Sequence, residues 1–177
     1  MTLNPAVDCT LLVSGVLRIG AVHKTVSETM TPGGKGVNVA KVIAGAGQKV
    51  VAGGLLGTSD FDLYTSFLSD IGVESGFLPV DYGTRRNIMA VDESGNELKL
   101  NRPGFPGLVF DWPGLRNYCF QLARKGDVFI ISGSLPSGFP DDTYARFSET
   151  FSGVPANLSR STRTGRRFPP GFPPDLM

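Results

Sequence analysis

The chain is 177 residues long and 41% hydrophobic, with 17 basic and 16 acidic side chains and a single histidine. That length is enough for one domain with a real core, and a near-neutral balance gives no ground for a nucleic-acid or membrane-surface partner. No apolar run is long enough to span a bilayer, and the amino terminus lacks a basic stretch followed by a long apolar core. Cys9 and Cys119 lie far apart without CxxC spacing, so buried reduced thiols in a cytoplasmic protein are predicted rather than a zinc site or a disulfide framework.

In chain order, a first strand leads to Asp8 and the short apolar segment "TLLVSG", and the glycine-rich turn "TPGGKG" follows. Residues 36–47, "GVNVAKVIAGAG", predict a closely packed helix with a glycine stop. Residues 48–57 predict a strand, and residues 59–72 a helix with Phe61, Tyr64, Phe67, Leu68 and Ile71 on one face. "NIMAVDESGNELKLN" alternates on both sides of "ESGN" and predicts a hairpin. Residues 111–126 predict another helix, residues 127–132 a buried strand running into the polar loop "SGSLPSG", and residues 141–151 a last helix. This alternation describes an α/β layered fold with a small β appendage and no internal repeat.

Residues 154–177 break the pattern, with four arginines (Arg160, Arg163, Arg166, Arg167), five prolines and no periodic apolar face. Such a segment is expected to be disordered. Its abrupt Arg, Pro, Ser and Gly enrichment is what an out-of-frame reading of a GC-rich gene gives, with the change near residues 154–156. A natural basic tail that touches anionic partners is the other reading.

Several residues carry candidate chemistry. Asp8 is an acceptor-only group suited to sugar hydroxyls, or a turn aspartate bonding its own backbone. Gly33, Gly34 and Gly36 let the backbone approach a ligand, and a helix starting there adds a positive dipole end. Lys35 offers a compact charge for phosphate, and Asn38 both donates and accepts. The alternative is a plain connecting turn with a solvated lysine. Arg85 and Arg86 in "TRRN" point to opposite strand faces, so one is free to meet an anion while the other is structural. Ser134 sits where an α/β sheet presents ligands at its strand ends, and reads equally as a loop or capping serine. His23 is the one histidine, which excludes a His-based metal cluster or a Ser/His/Asp triad. "GKG" continues with Val37, so the Walker A pattern fails, and no GxGxxG supports a dinucleotide fold.

Together, "TLNPAVDCT", "PGGKGVNVAKV", "TRRNIMAVDESGNELKLNRPG" and "DVFIISGSLPSG" resemble the PfkB branch of the ribokinase-like carbohydrate kinases over residues 2–153. Within that branch they look most like 1-phosphofructokinases and tagatose-6-phosphate kinases. The resemblance implies a Rossmann-like α/β sheet with helices on both faces plus a β-lid, here truncated. Residues 1–153 would be the substrate-binding half, with lid segments at about 10–26 and 85–101. It implies sugar contacts from Asp8, Gly33, Gly34, Lys35 and Asn38, a phosphate contact from Arg85 and a further polar contact from Ser134. It also implies ATP and Mg²⁺ as cofactors, a sugar phosphate as substrate and a homodimer through the lid, with His23 on the lid surface.

The family's C-terminal "GAGD" motif, which supplies the base, has no counterpart, since "GAGQ" at residues 45–48 lies in the wrong half and ends in glutamine. The magnesium-linked NxxE motif is absent too. No catalytic residue is therefore assigned. The chain is expected to be an inactive, truncated kinase with exposed apolar sheet edges and poor solubility, or a catalytically dead sugar-phosphate-binding or dimerising module.

Overall fold

The computed structural model describes residues 1–109, 111–124 and 126–152. The elements run β1 (Ala6–Val13), β2 (Thr25–Gly33), α1 (Lys35–Gly45), β3 (Val51–Gly57), α2 (Phe61–Asp70), β4 (Glu74–Val80), β5 (Arg85–Asp92), β6 (Glu97–Asn101), α3 (Trp112–Leu122) and α4 (Thr143–Ser152). Both expectations for the hairpin and for the helices near residues 36, 59, 111 and 141 are met by these elements. The expectation for residues 154–177 lies outside the described residues.

Strand β3, "VAGGLLG", is buried from its second residue to its last and pairs in parallel with β4. A strand covered on both faces reads as continuously apolar, because neither side chain direction meets water. One face joins Leu55 and Leu78 to Leu3, Phe105, Leu115 and Phe147. The other joins Leu56 to Val7, Val37, Ala40, Tyr64 and Leu68, so that α1 and α2 cover this side. Helix α2 buries Tyr64 and Leu68 completely, the i, i+4 pair that lies on one helix face. Helix α3 starts at Asp111, whose carboxylate accepts from the Gly114 amide at 3.1 Å, with Pro113 in its first turn.

The second sheet has the order β2-β1-β5-β6. Strand β1 is antiparallel to β2 and parallel to β5, and β5 is antiparallel to β6. Its register divides it into two unlike faces. Asp8, Thr10, Thr31, Arg85, Asn87 and Asn101 share one, while Met30, Ile88, Leu98 and Leu100 share the other with Val7 and Cys9. The lower part of the apolar face packs on the core, and its upper part leaves Met30, Leu98 and Leu100 exposed.

Several expectations are corrected. Asp8 does not follow a strand but is the third residue of β1. Strand β2 lies where only a lid segment and a turn were expected, and the lid sheet begins at β1 rather than at residue 10. Strand β4 was not foreseen at all. Residues 127–132 form no regular strand, and Val128 and Ile130 are 84% and 41% exposed rather than buried. The segment is extended and bonded on one side: the Met1 amine donates to the Ile130 carbonyl and the Ser132 amide to the Met1 carbonyl. Among the described residues nothing pairs with its other side. Cys9 and Cys119 are buried and free, and burial raises both thiols, Cys119 to about 12. No helix among the described residues is long and apolar enough to cross a membrane.

Asp92 ties the β5-β6 turn to the chain after β1. Its carboxylate accepts from the Leu17 amide at 2.8 Å, from the Ser94 and Asn96 amides at 2.9 Å, and from the Asn96 side chain at 2.8 Å. The Asn96 side chain first, and then the Leu17 amide, hold the carboxyl down at about 2. The unfolded value is about 3.9, so the stabilisation is complete above that pH and is lost as pH falls through about 2. Urea unfolding of wild type and Asp92→Asn should give a stability gap that is constant above about pH 4 and closes towards pH 2. Equal stability at pH 6 would contradict this role.

Candidate functional site

The polar face of the β2-β1-β5-β6 sheet meets the start of α1 at the glycine turn. Gly34 caps the helix at φ 109°, a conformation that side-chain-bearing residues rarely adopt. Gly33 is required for a different reason: a β-carbon there would stand 2.2 Å from an Asp8 carboxylate oxygen. The turn therefore presses backbone against the Asp8 side chain, whose other oxygen accepts from Asn87 Nδ2 at 2.8 Å. Asp8 is half-buried, so the carboxylate is held on two sides and still reaches the open face. Lys35 and Asn38, exposed and one helical turn apart, stand at the mouth of α1.

Tyr64 fixes this junction from below. Its hydroxyl donates to the Ala6 carbonyl at 2.6 Å or to the Gly33 carbonyl at 3.0 Å, and accepts from the Gly33 amide at 3.3 Å. Complete burial raises its pKa far above that of an ordinary phenol, so it acts as a neutral clamp. Edge-to-face contact with Phe77, 5.6 Å between centroids, holds the ring.

The two arginines have separate fates, as strand alternation requires. Arg86 turns to the core side and pairs with Asp60 at 2.7 Å, while donating to the Thr84 carbonyl at 2.9 Å. Burial works against the Asp60 charge, but hydrogen bonds from Arg86 and Thr84 outweigh it and hold this carboxyl below its ordinary value. Arg85 lies on the Asp8 side and bonds only carbonyls, those of Pro5 at 3.2 Å and Arg102 at 3.0 Å. Partial burial lowers its pKa and the Asp8 charge raises it again. Arg85 lines an open cleft of about 430 Å³ with Arg86, Arg102, Thr84, Pro103 and Gly104. With Arg86 engaged by Asp60, the guanidinium groups of Arg85 and Arg102 are the ones on this cleft that suit an anion with several acceptor oxygens.

Ser134 is held by Asn4. Its hydroxyl accepts from Asn4 Nδ2 at 3.1 Å, and the same amide reaches the Pro103 and Leu135 carbonyls. Tyr144 donates to the Gly133 carbonyl at 2.9 Å. A β-carbon on Gly133 would lie 3.9 Å from the Lys35 β-carbon, so this loop borders the glycine turn. Of the residues expected at the site, Gly33 lies against Asp8, the Gly133–Ser134 loop borders Lys35, and Arg85 alone lines the open cleft with Arg86 and Arg102. His23 lies away from it, in the lid loop, where its ring accepts from the Arg18 amide.

Sequence reasoning missed three polar residues here. Asn87 holds Asp8, Asn4 joins the Ser134 loop to the Pro103 loop, and Arg102 faces the Arg85 cleft. Asn87 alone had a usable signal, being two residues beyond Arg85 and so on the same strand face. Among the described residues no three His, Cys, Asp or Glu side chains gather as metal ligands.

Comparison with known proteins identifies the family. The pfkB family of carbohydrate kinases matches residues 2–152. A 1-phosphofructokinase from Vibrio cholerae is 35% identical over 78% of this chain and 43% of its own length. One from Xanthomonas campestris is 33% identical over 92% of this chain and 51% of its own. The structure of phosphofructokinase-2 from Escherichia coli in complex with fructose-6-phosphate superposes with a TM-score of 0.71 at 25% identity, covering 85% of this chain and 49% of that one. The chain spans about half the length of the relatives it matches. The carboxylate on β1, the glycine turn and the arginine strand all fall inside the matched region, and the chain belongs to the pfkB family of carbohydrate kinases.

Proposed function

We propose that these residues form the sugar-phosphate-binding half of a phosphosugar kinase, taking a ketohexose phosphate of the fructose-1-phosphate or tagatose-6-phosphate type. The observation that carries the reading is the pairing of an acceptor-only carboxylate, Asp8, with an arginine free of acidic partners, Arg85, on one sheet face. Sugar hydroxyls donate to Asp8 while Asn38 and Ser134 supply groups that donate or accept. The phosphate meets Arg85 through a fork of N–H groups, with Lys35 as a second, point-like cation. A lid over this face keeps water from the transferred phosphoryl group.

ATP and Mg²⁺ would supply the phosphoryl group and neutralise its charge in a whole enzyme. The described residues do not fit these cofactors: they gather no acidic metal-binding cluster and present no Walker-type loop. We therefore place the general base and the nucleotide site in the half of the family domain that the matched residues do not span. Taken alone, residues 1–152 bind sugar phosphate without turning it over.

Calorimetric titration with fructose 1-phosphate, fructose 6-phosphate and tagatose 6-phosphate should show saturable binding of at least one, and none of unphosphorylated fructose at the same concentration. Arg85→Ala should weaken it roughly 10- to 100-fold, the worth of a charge-assisted hydrogen bond, without lowering the melting temperature. Arg86→Ala should instead destabilise the fold by about 2–3 kcal/mol, because it strands the buried Asp60 carboxylate. No binding of any of the three sugars would end the proposal.

The exposed Met30, Leu98 and Leu100 on the outer lid face favour one further reading, a homodimer that buries this apolar surface. Light scattering should then give twice the chain mass for wild type and the single mass for Leu100→Lys. A wild-type monomer at high micromolar concentration would rule the dimer out.

A further inference from the structure

Arg85 does not stand alone at its cleft. The chain leaves β6 at Asn101, and the next residue, Arg102, lines the same opening with Thr84, Arg85 and Pro103. Both walls are held from behind. On one, Asp60 accepts from the Thr84 amide at 3.0 Å, Arg86 donates to the Thr84 carbonyl at 2.9 Å, and the Thr84 hydroxyl accepts from the Gly57 amide at 3.1 Å. Arg85 therefore extends from a backbone gripped just before it. On the other, Asn4 Nδ2 donates to the Pro103 carbonyl at 2.9 Å, and Phe105 anchors the loop by its full burial in the core. One bond joins the walls, since Arg85 Nη1 donates to the Arg102 carbonyl at 3.0 Å.

The charge on this opening is unbalanced. No Asp or Glu lines it, and only Arg86 is neutralised, by Asp60. Arg85 donates to two carbonyls, which leave its charge without a counterion. The exposed Arg102 guanidinium makes no hydrogen bond or ion pair among the described residues. Two cations on one cleft repel each other, whereas one bound dianion satisfies both. A phosphate monoester carries a charge of about −1.5 to −2 at pH 7 and several strong acceptor oxygens. Each guanidinium offers it a planar fork of N–H groups.

We propose that Arg102 is a specificity-determining residue, which with Arg85 forms a two-guanidinium clamp for a phosphate monoester and so selects phosphorylated over unphosphorylated sugars. The sugar part rests on the reading of residues 1–152 as a sugar-phosphate-binding half, and the phosphate part does not.

Two titrations of the full chain test the clamp: NMR of the Arg85 and Arg102 Nε–Hε signals with inorganic phosphate, and calorimetry with fructose 1-phosphate, fructose 6-phosphate and tagatose 6-phosphate. Inorganic phosphate should shift both arginine signals along one saturation curve. Arg102→Ala removes an exposed side chain without partners, so it should keep the wild-type melting temperature. It should weaken phosphate and sugar-phosphate binding roughly tenfold or more, the loss of charge-assisted hydrogen bonds. Arg102→Lys, which keeps the charge without the fork, should regain part of that loss, and Lys49→Ala, which removes a remote exposed charge, should change neither affinity. Any of three results would overturn the clamp: no saturable shift at the two arginines, wild-type affinities in Arg102→Ala, or an equal loss in Lys49→Ala. Sugar phosphates bound as tightly by Arg102→Ala as by wild type would leave the sugar-phosphate reading standing while the clamp falls. Arg102-dependent binding of inorganic phosphate with no sugar phosphate bound would uphold the clamp while that reading falls.

Discussion

One buried hydroxyl stands at the junction of everything described above. Tyr64 reaches from α2 to the point where β2 ends and α1 begins, accepting from the Gly33 amide and donating to the Ala6 or the Gly33 carbonyl. The sheet needs this clamp because a turn with Gly33 and Gly34 has little stiffness of its own. The site needs it because Gly33 lies directly against the Asp8 carboxylate. Removing the hydroxyl would leave buried backbone groups to find other partners, at a cost of about 1–3 kcal/mol, and would loosen Asp8 as well as the core. Core packing and the proposed site therefore share one contact.

Above this junction the sheet separates two tasks by strand alternation. On β5 the odd residues Arg85 and Asn87 lie on the Asp8 side, while Arg86 and Ile88 serve the core. Arg86 resembles Arg85 chemically, yet it is held by Asp60 and is not free to bind an anion. Asn4 makes a comparable link on the other wall, since one buried amide holds the Ser134 hydroxyl and the Pro103 carbonyl. These contacts join distant parts of the chain, and in the proposed function they are the preorganisation that binding benefits from.

Much of this was legible in the sequence where a local pattern had a local cause. The 3.6-residue spacing of Phe61, Tyr64 and Leu68 marked α2, and alternation around "ESGN" marked the β5-β6 hairpin. Strand β2, "TVSETMTPG", was illegible because its outer part is exposed on both faces and carries no hydrophobic alternation to read. Strand β4, "ESGFLPV", was hidden by a glycine and a proline, and tertiary pairing with β3 overrides both. The run "DVFII" erred the other way: its apolar residues signal burial, but burial also requires a neighbour that the described residues do not contain. At the proposed site, quoted motifs are what single out Asp8, Lys35, Asn38 and Arg85, and the structure adds their neighbours Asn87 and Arg102. No spacing rule distinguishes Asn4 from a surface asparagine, or tells where the Tyr64 hydroxyl will land.

The central claim is that a carboxylate on β1, the mouth of α1, an arginine on β5 and the Ser134 loop act as one sugar-phosphate site. Amide chemical-shift mapping by NMR during titration with fructose 1-phosphate tests it most directly. The account predicts concerted shifts at Asp8, at residues 33–38, at Arg85 and Asn87, and at Gly133 and Ser134, all with one saturation curve. Shifts confined to residues outside this set, or separate curves for its parts, would contradict it.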